Sequence, residues 1–284
     1  NRELWEYIIN IIPYYQQKFG IDGARIDMGH ALPPALNRAI IEKVRAVDAN
    51  FRFWSEEFDV KNAAAAKAWG YDLITGDLWQ LYKMIGKKGF CRQLFARVRT
   101  AALPLTGALE LPDTPRAACY YPDQVLVEMI ILLNYFLPNV APFINNGLEL
   151  LEKQPMNLGL DNTEAGRFIL PPTDPFYGKL AFFDCYCLHW LQEEQAFMIP
   201  LLRKAALLRQ RFLPLIKATC LYLDCGHIPR KSMLYFVYVG PELGQLLLFI
   251  ANFDLTKPVR ITFGRVFPRK LQAEFPALTL VYAD

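Results

Sequence analysis

This sequence has no paired-cysteine motif, no unbroken apolar run of membrane-spanning length and almost no excess of charge. The net formal charge is +3 over 284 residues, and the lysines and arginines are spread along the chain. Because nucleic acids and anionic membrane surfaces attract clustered basic residues, we expect neither as a partner. The chain is 53% hydrophobic and 14% aromatic, which is typical of a globular enzyme with a large core.

The longest apolar stretch, residues 125–144, is interrupted by Glu128, Asn134, Pro138 and Pro142. A membrane span needs about 18 to 20 continuous apolar residues, so this stretch predicts a buried helix followed by a buried strand. The first residues lack the basic and apolar regions of a signal peptide, and we expect a cytoplasmic protein. The chain also lacks an initiating methionine, which leads us to expect an upstream part.

The cysteines lie at irregular spacings that fit neither a disulfide framework nor a common zinc site, so we expect reduced thiols. They are Cys91, Cys119, Cys185, Cys187, Cys220 and Cys225. In "CYCLH", residues 185–189, two cysteines and His189 would share one face of a strand. Structural zinc normally takes four ligands, so buried thiols beside a core histidine are favoured over a metal site, and no cofactor is predicted.

Helical patterns alternate with short apolar strands as far as about residue 190, which predicts parallel β/α units. The predicted strands cover 21–27, 51–57, 71–75, 105–110 and 141–146, and a helix at 200–212 completes this part. Later strands, at 232–239, 245–253, 259–263 and 278–283, have no helices between them. We therefore expect an α/β domain over 1–212 and an antiparallel β-sandwich domain over 213–284. Five parallel strands cannot close a (β/α)₈ barrel, so the first domain is either an open sheet or the later part of a barrel.

Acidic residues follow three of the predicted parallel strands, at the edge where reactive side chains collect in such proteins. They are Asp27, the pair Glu56 and Glu57, and Asp113. If the first two strands are neighbours, their spacing of about 4.8 Å sets a similar separation between the carboxyl groups. Two carboxyl groups about 5 to 5.5 Å apart are the geometry of a retaining glycosidase.

Arg25 lies two residues before Asp27 and so on the same face of the strand. A guanidinium there favours a charged Asp27, as a nucleophile requires. Glu56 lies among Phe53, Trp54 and Phe58, apolar surroundings that favour a protonated acid. Asp113 is placed to bind sugar hydroxyls and to stabilise positive charge at the reacting carbon.

Each of these residues also has a structural interpretation. Arg25 and Asp27 could form an ordinary salt bridge, and His30 could cap or pack. Only one of Glu56 and Glu57 can point toward Asp27. Asp113, in "PDTP", could simply form a turn. The aromatic residues Trp54 and Trp79 could stack on sugars or belong to the core.

Several stretches resemble the α-amylase superfamily, glycoside hydrolase family 13. "GARIDMGH" (23–30) is similar to that family's segment at barrel strand four, "FWSEEFD" (53–59) to the segment at strand five, "LELPDTPR" (109–116) to strand seven and "FINNGLEL" (143–150) to strand eight. The resemblance implies the later part of a (β/α)₈ barrel, about strands 4 to 8, followed by a small β domain. It also implies that Asp27 is the nucleophile, Glu56 the general acid and Asp113 the third acid, with Arg25 and His30 in the substrate site.

One departure narrows the resemblance. Most amylases have a histidine directly before the third acid, whereas this chain has Pro112. The proline, together with "GIDGARIDMGHALP" (20–33), "EKQPMNLGLD" (152–161) and "PTDPFYGKLAFFD" (172–184), resembles the bacterial maltosyltransferase branch, of the 4-α-glucanotransferase type. The resemblance covers about residues 3–212.

The resemblance implies an enzyme that transfers maltosyl units between α-1,4-glucans, with maltooligosaccharides as partners. An α-amylase-type hydrolase is the alternative within the same chemistry, because transfer and hydrolysis share the first half-reaction. A carbohydrate-binding fragment that has lost catalysis is the alternative from another class. A homodimer stays open.

Overall fold

A computed structural model describes residues 1–121, 123–185, 187–189, 198–217, 220–224, 233–240 and 244–260. Its first 142 residues contain five short strands that form one parallel sheet in the order of the chain. They are β1 (Gly23–Ile26), β2 (Arg52–Ser55), β3 (Leu73–Ile74), β4 (Leu105–Gly107) and β5 (Val140–Pro142). Parallel neighbours in chain order, joined by helices, are the arrangement of β/α units in a barrel wall.

The helices flank these strands in sequence. They are α1 (Arg2–Phe19), α2 (Pro34–Val47), α3 (Ala63–Trp69), α4 (Leu78–Leu81), α5 (Phe90–Thr100), α6 (Ala117–Tyr120), α7 (Gln124–Phe136) and α8 (Met198–Ile216). Helix α1 continues through Pro13 and ends at Gly20, whose φ of 65° suits a glycine cap. Prolines open α2, as expected for a first helical turn.

The five predicted parallel strands are confirmed in position, but each is shorter than predicted. The strands end close to the acidic residues because the chain turns there. Met28, for example, has a left-handed φ of 48°, which no strand residue adopts. Asp27 and Glu56 therefore lie on the loops that leave the sheet rather than on the strands themselves.

One apolar core joins the sheet to its helices. Side chains from the sheet, including Phe53, Ile74 and Leu105, are fully buried against helix residues such as Leu94 and Ile130. The apolar stretch at 125–144 forms α7 and β5, as predicted. None of the described helices is long and apolar enough to cross a membrane.

A second sheet is antiparallel and has the order β6 (Cys220–Asp224), β7 (Met233–Val239), β8 (Leu246–Asn252). The sequence patterns predicted β7 and β8 and missed β6. The predicted strand at 278–283 lies outside the described residues, and the one at 259–263 is described only at its first two residues, which are not in a strand.

The antiparallel sheet packs directly on the helices of the first part. The ring of Phe236 lies 6.3 Å from that of Phe95, and the Tyr238 hydroxyl donates to the Phe136 carbonyl at 2.7 Å. Helix α8 was predicted to end at residue 212, but it continues to Ile216, where Leu215 and Ile216 are buried. The division between 212 and 213 thus falls within the last turn of α8 and stays a proposal.

Candidate active site

Asp27 and Glu56 leave the sheet from directly adjacent strands. Strands β1 and β2 are paired in parallel, with Ile26 opposite Ser55, so each acid is the residue that follows a paired position. The Glu56 N–H donates to the Ile26 carbonyl at 3.1 Å, which continues the pairing by one further bond. The predicted adjacency is confirmed, and no third strand separates the two acids.

Arg25 holds both acids with one guanidinium. Its Nη1 lies 2.5 Å from Asp27 Oδ1 and its Nη2 lies 2.6 Å from Glu56 Oε1. The guanidinium also lies over the Trp54 ring, 5.5 Å from the ring centre. The exposed fractions of the Asp27 and Glu56 side chains are 69% and 7%. We call Arg25, Asp27 and Glu56 the edge cluster.

Glu56 does not have the apolar surroundings that the sequence predicted. Its second oxygen, Oε2, accepts from the Met28 N–H at 2.8 Å, so both carboxylate oxygens have polar donors. Phe53 points into the core on the other side of the sheet, because side chains alternate along a strand. Phe58 packs with Trp79 in a separate apolar cluster.

Glu57, the other glutamate at this strand end, does not reach Arg25. Its Oε1 accepts from the Asp59 N–H at 2.8 Å, and its Oε2 accepts from Asn62 Nδ2 at 3.1 Å. These bonds hold the loop that begins the next helical segment. The geometry therefore places Glu56, and not Glu57, beside Asp27.

The turn that follows Asp27 is held by two buried polar residues, Asn37 and Tyr71. Asn37 Nδ2 donates to the Gly29 carbonyl at 2.6 Å, and the Tyr71 hydroxyl donates to Asn37 Oδ1 at 2.8 Å. A Cβ at Gly29 would lie 2.5 Å from the Tyr71 oxygen, so only glycine fits. Burial raises the pKa of Tyr71 to about 12, against a smaller opposing effect of a hydrogen bond with Ser55, so Tyr71 stays a neutral donor.

His30 is exposed at the same edge, and its Nδ1 lies 3.0 Å from the Glu56 carbonyl oxygen. A carbonyl only accepts, so Nδ1 carries the proton in this contact. In the neutral ring, Nε2 is then an acceptor. Both structural and substrate-binding interpretations are compatible with this position.

Asp113 lies on the loop after β4, two strands away from β2 in the sheet order. It belongs to a turn in which the Thr114 N–H donates to the Leu111 carbonyl at 3.1 Å. Its Oδ1 accepts a hydrogen bond from Asn157 Nδ2. Asp113 therefore does form a turn, and within the described residues its contacts do not join the edge cluster.

Sequence reasoning missed a buried ion pair close to Asp113. Arg116 Nη1 donates to Glu110 Oε1 at 2.7 Å, and both side chains are 1% exposed. Glu110 Oε1 also accepts from Asn145 Nδ2 at 2.8 Å, and its Oε2 accepts from the Ala117 N–H at 2.6 Å. The sequence signal for this ion pair was Glu110, which lies between Leu109 and Leu111. A charged residue in such an apolar segment needs a partner of opposite charge when it is buried.

The described residues of "CYCLH", 185 and 187–189, are not in a strand, and the prediction of buried thiols is wrong for Cys187, which is exposed. His189 is buried, as predicted, with Nδ1 2.8 Å from Glu152 Oε1 and Nε2 3.1 Å from Asp174 Oδ2. No group of three or more candidate metal ligands is found among the described residues.

Two opposing effects set the pKa of Glu152. Burial raises it, but hydrogen bonds from the Gln154 and His189 N–H groups and from the His189 ring outweigh burial and leave the pKa below its usual value. Glu152 therefore serves as a charged anchor for the segment that carries His189.

The two aromatic candidates differ in exposure. Trp79 is buried in the core, 3% exposed. Trp54 is partly exposed, and its Nε1 donates to Thr75 Oγ1 at 3.1 Å. Only Trp54 therefore has ring surface near the edge cluster.

No protein-family model and no curated protein sequence matches the chain. Solved structures do match. A maltogenic α-amylase from Thermotoga neapolitana is 18% identical with a TM-score of 0.64, and the match covers 90% of this chain and 54% of that one. An α-amylase from Anoxybacillus is 16% identical with a TM-score of 0.61, and the match covers 84% and 50%.

A third similar structure is a cyclic α-maltosyl-(1→6)-maltose hydrolase from Arthrobacter globiformis in complex with maltose. It is 16% identical with a TM-score of 0.63, and the match covers 89% of this chain and 53% of that one. The chain thus spans about half the length of the structures it matches. Together with the strand order, these matches confirm the predicted fold, the later part of a (β/α)₈ barrel followed by a small antiparallel sheet.

Proposed function

We propose that this chain is part of a retaining enzyme of the α-amylase superfamily that transfers maltosyl units between α-1,4-glucans. The observation that carries the proposal is the edge cluster, in which one guanidinium binds both Asp27 and Glu56. The residue match in "GARIDMGH" and the likeness of the fold to amylase structures support it.

The separation of the two acids favours a covalent intermediate. Retaining glycosidases hold their two carboxyl groups about 5 to 5.5 Å apart, and the shared guanidinium of Arg25 keeps Asp27 and Glu56 close together. An inverting enzyme needs a wider gap to admit water between an acid and the sugar. The bridge through Arg25 therefore favours the retaining arrangement over the inverting one.

In the proposed reaction, a carboxylate oxygen of Asp27 attacks the anomeric carbon and Glu56 gives a proton to the departing glycosidic oxygen. Asp27 is exposed and can reach a bound sugar. Both Glu56 oxygens accept hydrogen bonds, so the acid role requires that substrate displace one donor. Arg25 is the donor that can move, because the Met28 N–H belongs to the backbone. In the second step the acceptor hydroxyl oxygen attacks the anomeric carbon, Glu56 takes its proton, and the bond to Asp27 breaks to release the carboxylate.

Two further residues have proposed roles in binding. With Nδ1 occupied by the Glu56 carbonyl, His30 presents Nε2 to a sugar hydroxyl as an acceptor. Asp113 binds ring hydroxyls and stabilises positive charge on the sugar at the transition state. Because Asp113 comes from a separate strand end, it approaches the sugar from another side than the edge cluster.

An exposed apolar stripe on α1 supports the proposal that further β/α units complete the barrel. Leu4, Tyr7, Ile11 and Tyr14 are between 40% and 72% exposed, at the spacing of one helix face. In a barrel, such a face packs on the preceding helix. The activity proposed here is therefore that of the whole barrel.

Hydrolysis is the second candidate, favoured by the exposure of Asp27, since water can resolve an exposed intermediate. The proline at position 112 and the shared segments favour transfer. Incubation of the protein at its natural length with maltotetraose separates the two. Products that differ by two glucose units support transfer, whereas glucose and maltose without longer chains support hydrolysis. Binding of maltotetraose without turnover would contradict both and favour a binding fragment.

The neighbouring glutamates provide a matched control for this assay. Glu56→Gln should abolish turnover, and Glu57→Gln should leave it close to that of the wild type, because Glu57 is engaged with the Asp59 and Asn62 loop. Equal losses in the two variants would contradict the assignment of Glu56 as the acid.

A further inference from the structure

Residues 157–162, "NLGLDN", form a short loop segment after β5 that lies against Asp113, and we call it the strap. Asn157 Nδ2 donates to Asp113 Oδ1. On its other side, Asn157 Oδ1 accepts from the Gly159 N–H at 2.7 Å, and the Asn157 carbonyl accepts from Asn162 Nδ2 at 3.1 Å. Because an N–H can only meet the amide oxygen, the bond from Gly159 fixes the Asn157 side-chain amide with its NH₂ toward Asp113.

The strap fits closely over Asp113. A Cβ at Gly159 would lie 3.2 Å from Asp113 Cβ and 3.1 Å from Asn157 Oδ1, so a larger residue would push the strap away. The chain then turns through left-handed backbone at Leu160 and Asp161, with φ of 21° and 65°. Such conformations are costly outside glycine and persist where surrounding contacts hold them.

Lys83 is the contact that holds the turn. Its Nζ lies 2.8 Å from Asp161 Oδ2, over the Trp79 ring at 4.9 Å and over the Tyr120 ring at 5.0 Å. Lys83 follows β3, Tyr120 follows β4 and Asp161 follows β5. One ammonium group thus contacts the segments that follow β3, β4 and β5, at the edge that carries Asp113.

We propose that Asn157 is a positioning residue that orients Asp113, and that Lys83 holds the strap in the position from which Asn157 acts. The inference rests on the proposed function, because Asp113 needs a set orientation only if it binds substrate. A single hydrogen bond to Oδ1 stops rotation of the carboxylate and leaves Oδ2 for a sugar hydroxyl. Within the described residues, no partner of Oδ2 is found.

Turnover of maltotetraose by Asn157 variants tests the orienting role. Asn157→Ala should lower kcat by about 100-fold with little change in KM, since a displacement near 1 Å costs on that order. Asn157→Asp places a second carboxylate against Asp113. Its activity should recover at acidic pH, where one shared proton restores the hydrogen bond, whereas the alanine variant should lose activity equally at every pH. Wild-type kcat in Asn157→Ala, or parallel pH profiles for the two variants, would overturn the role.

Hydrogen exchange tests the strap without reference to catalysis. Lys83→Met should speed exchange of the Gly159 and Asn162 N–H groups by about ten-fold, since local opening follows the loss of the contact. Lys83→Arg should restore slow exchange because it keeps the charge, and Lys87→Met, at an exposed turn, is the matched control. Unchanged exchange in Lys83→Met would overturn the anchor.

Failure of the proposed function can be distinguished from failure of the inference about Asn157. If the wild-type protein does not turn over maltotetraose, the proposed function fails, and exchange at the Asp113 turn still tests whether Asn157 holds Asp113. Asn157→Ala should then still speed exchange of the Thr114 N–H, and no change there would overturn the inference. If the wild type is active and Asn157→Ala matches it, only the inference fails.

Discussion

Two arginine–carboxylate clusters lie at the same edge of the sheet and differ in exposure. In the edge cluster, the Arg25 and Asp27 side chains are 31% and 69% exposed. In the second, which we call the buried pair, Arg116 and Glu110 are each 1% exposed. The same two types of group therefore face solvent at β1 and lie within the protein beside β4.

The difference in exposure suits the two clusters to different roles, ligand binding for the edge cluster and structural support for the buried pair. Glu110 has donors on both oxygens, and Arg116 Nε also donates to the Gln154 carbonyl at 2.7 Å, so the pair holds loops and has little to offer a ligand. The edge cluster presents a carboxylate to solvent. Exposed ion pairs contribute about 0 to 1 kcal/mol to stability, whereas breaking a buried pair costs about 3 to 5 kcal/mol. Substitution of Asp27 in the edge cluster should therefore lower turnover with little change in stability. Substitution in the buried pair should lower the free energy of unfolding.

The largest effect is expected for Asp27→Asn. Loss of the nucleophile should lower maltotetraose turnover by roughly 10⁴-fold or more. Because Asp27 is exposed, the free energy of unfolding should change by less than about 0.5 kcal/mol. Kinetics and urea denaturation of the same preparation check both parts. Normal turnover would refute the nucleophile assignment.

Arg116→Met, in the buried pair, should have its main effect on stability. It leaves Glu110 buried without its cation, and the free energy of unfolding should fall by about 3 to 5 kcal/mol. Urea denaturation beside Asp27→Asn measures the contrast directly. A loss below about 1 kcal/mol for Arg116→Met would remove the distinction between the two clusters.

Arg25→Lys tests whether the bridge itself matters. Lysine keeps the charge but has no planar fork to hold two carboxylates at once, so kcat should fall by about 10- to 100-fold. Stability should stay within about 1 kcal/mol of the wild type. Wild-type kcat in this variant would indicate that charge alone, without the bridge, suffices.

Tyr71→Phe should have a smaller effect. It removes the donor to Asn37 and leaves a buried acceptor unpaired, which costs about 1 to 3 kcal/mol of stability. The Gly29 turn, and with it Asp27, should become less rigid. Thermal or urea denaturation checks the value, and an unchanged midpoint would mean that the Asn37 pair does not support the turn.

The smallest effect is a pH dependence at Glu152. Its pKa is lowered in the folded state, so its contribution to stability is present above the unfolded value, near 4.5, and is lost as the pH falls through the lower folded value. Glu152→Gln should flatten the decline of the unfolding free energy below pH 4.5. A decline as steep as that of the wild type would show that other carboxyl groups cause it.

Local patterns were enough to predict the five parallel strands and the carboxyl-edge position of the acids. Alternation and helix caps are properties of neighbours in the chain, and Gly20 and Gly70 end helices in the left-handed conformation that glycine favours. Adjacency of β1 and β2 also followed, because consecutive β/α units pack side by side. These features account for the predicted contact of Arg25 with Asp27.

Contacts between distant loops could not be predicted in this way. Asn157 meets Asp113 across 44 positions, and Lys83 meets Asp161 across 78. Nothing near Asn157 in the sequence indicates which loop it will meet. The apolar surroundings expected for Glu56 were wrong for a related reason. Phe53 and Phe58 pack in other apolar clusters, and the polar contacts of Glu56 come from Arg25 on β1 and from Met28 on the loop that follows β1.

Trapping of the covalent intermediate is the sharpest test of Asp27 as the nucleophile. The protein would be incubated with a fluorinated maltosyl fluoride, which forms the glycosyl ester quickly and releases it slowly, and the labelled peptide would be mapped by mass spectrometry. We predict a maltosyl-sized addition on the peptide 26–38, located to Asp27, and none in Asp27→Asn. A label on any other residue, or turnover of maltotetraose by a protein that never becomes labelled, would contradict the account.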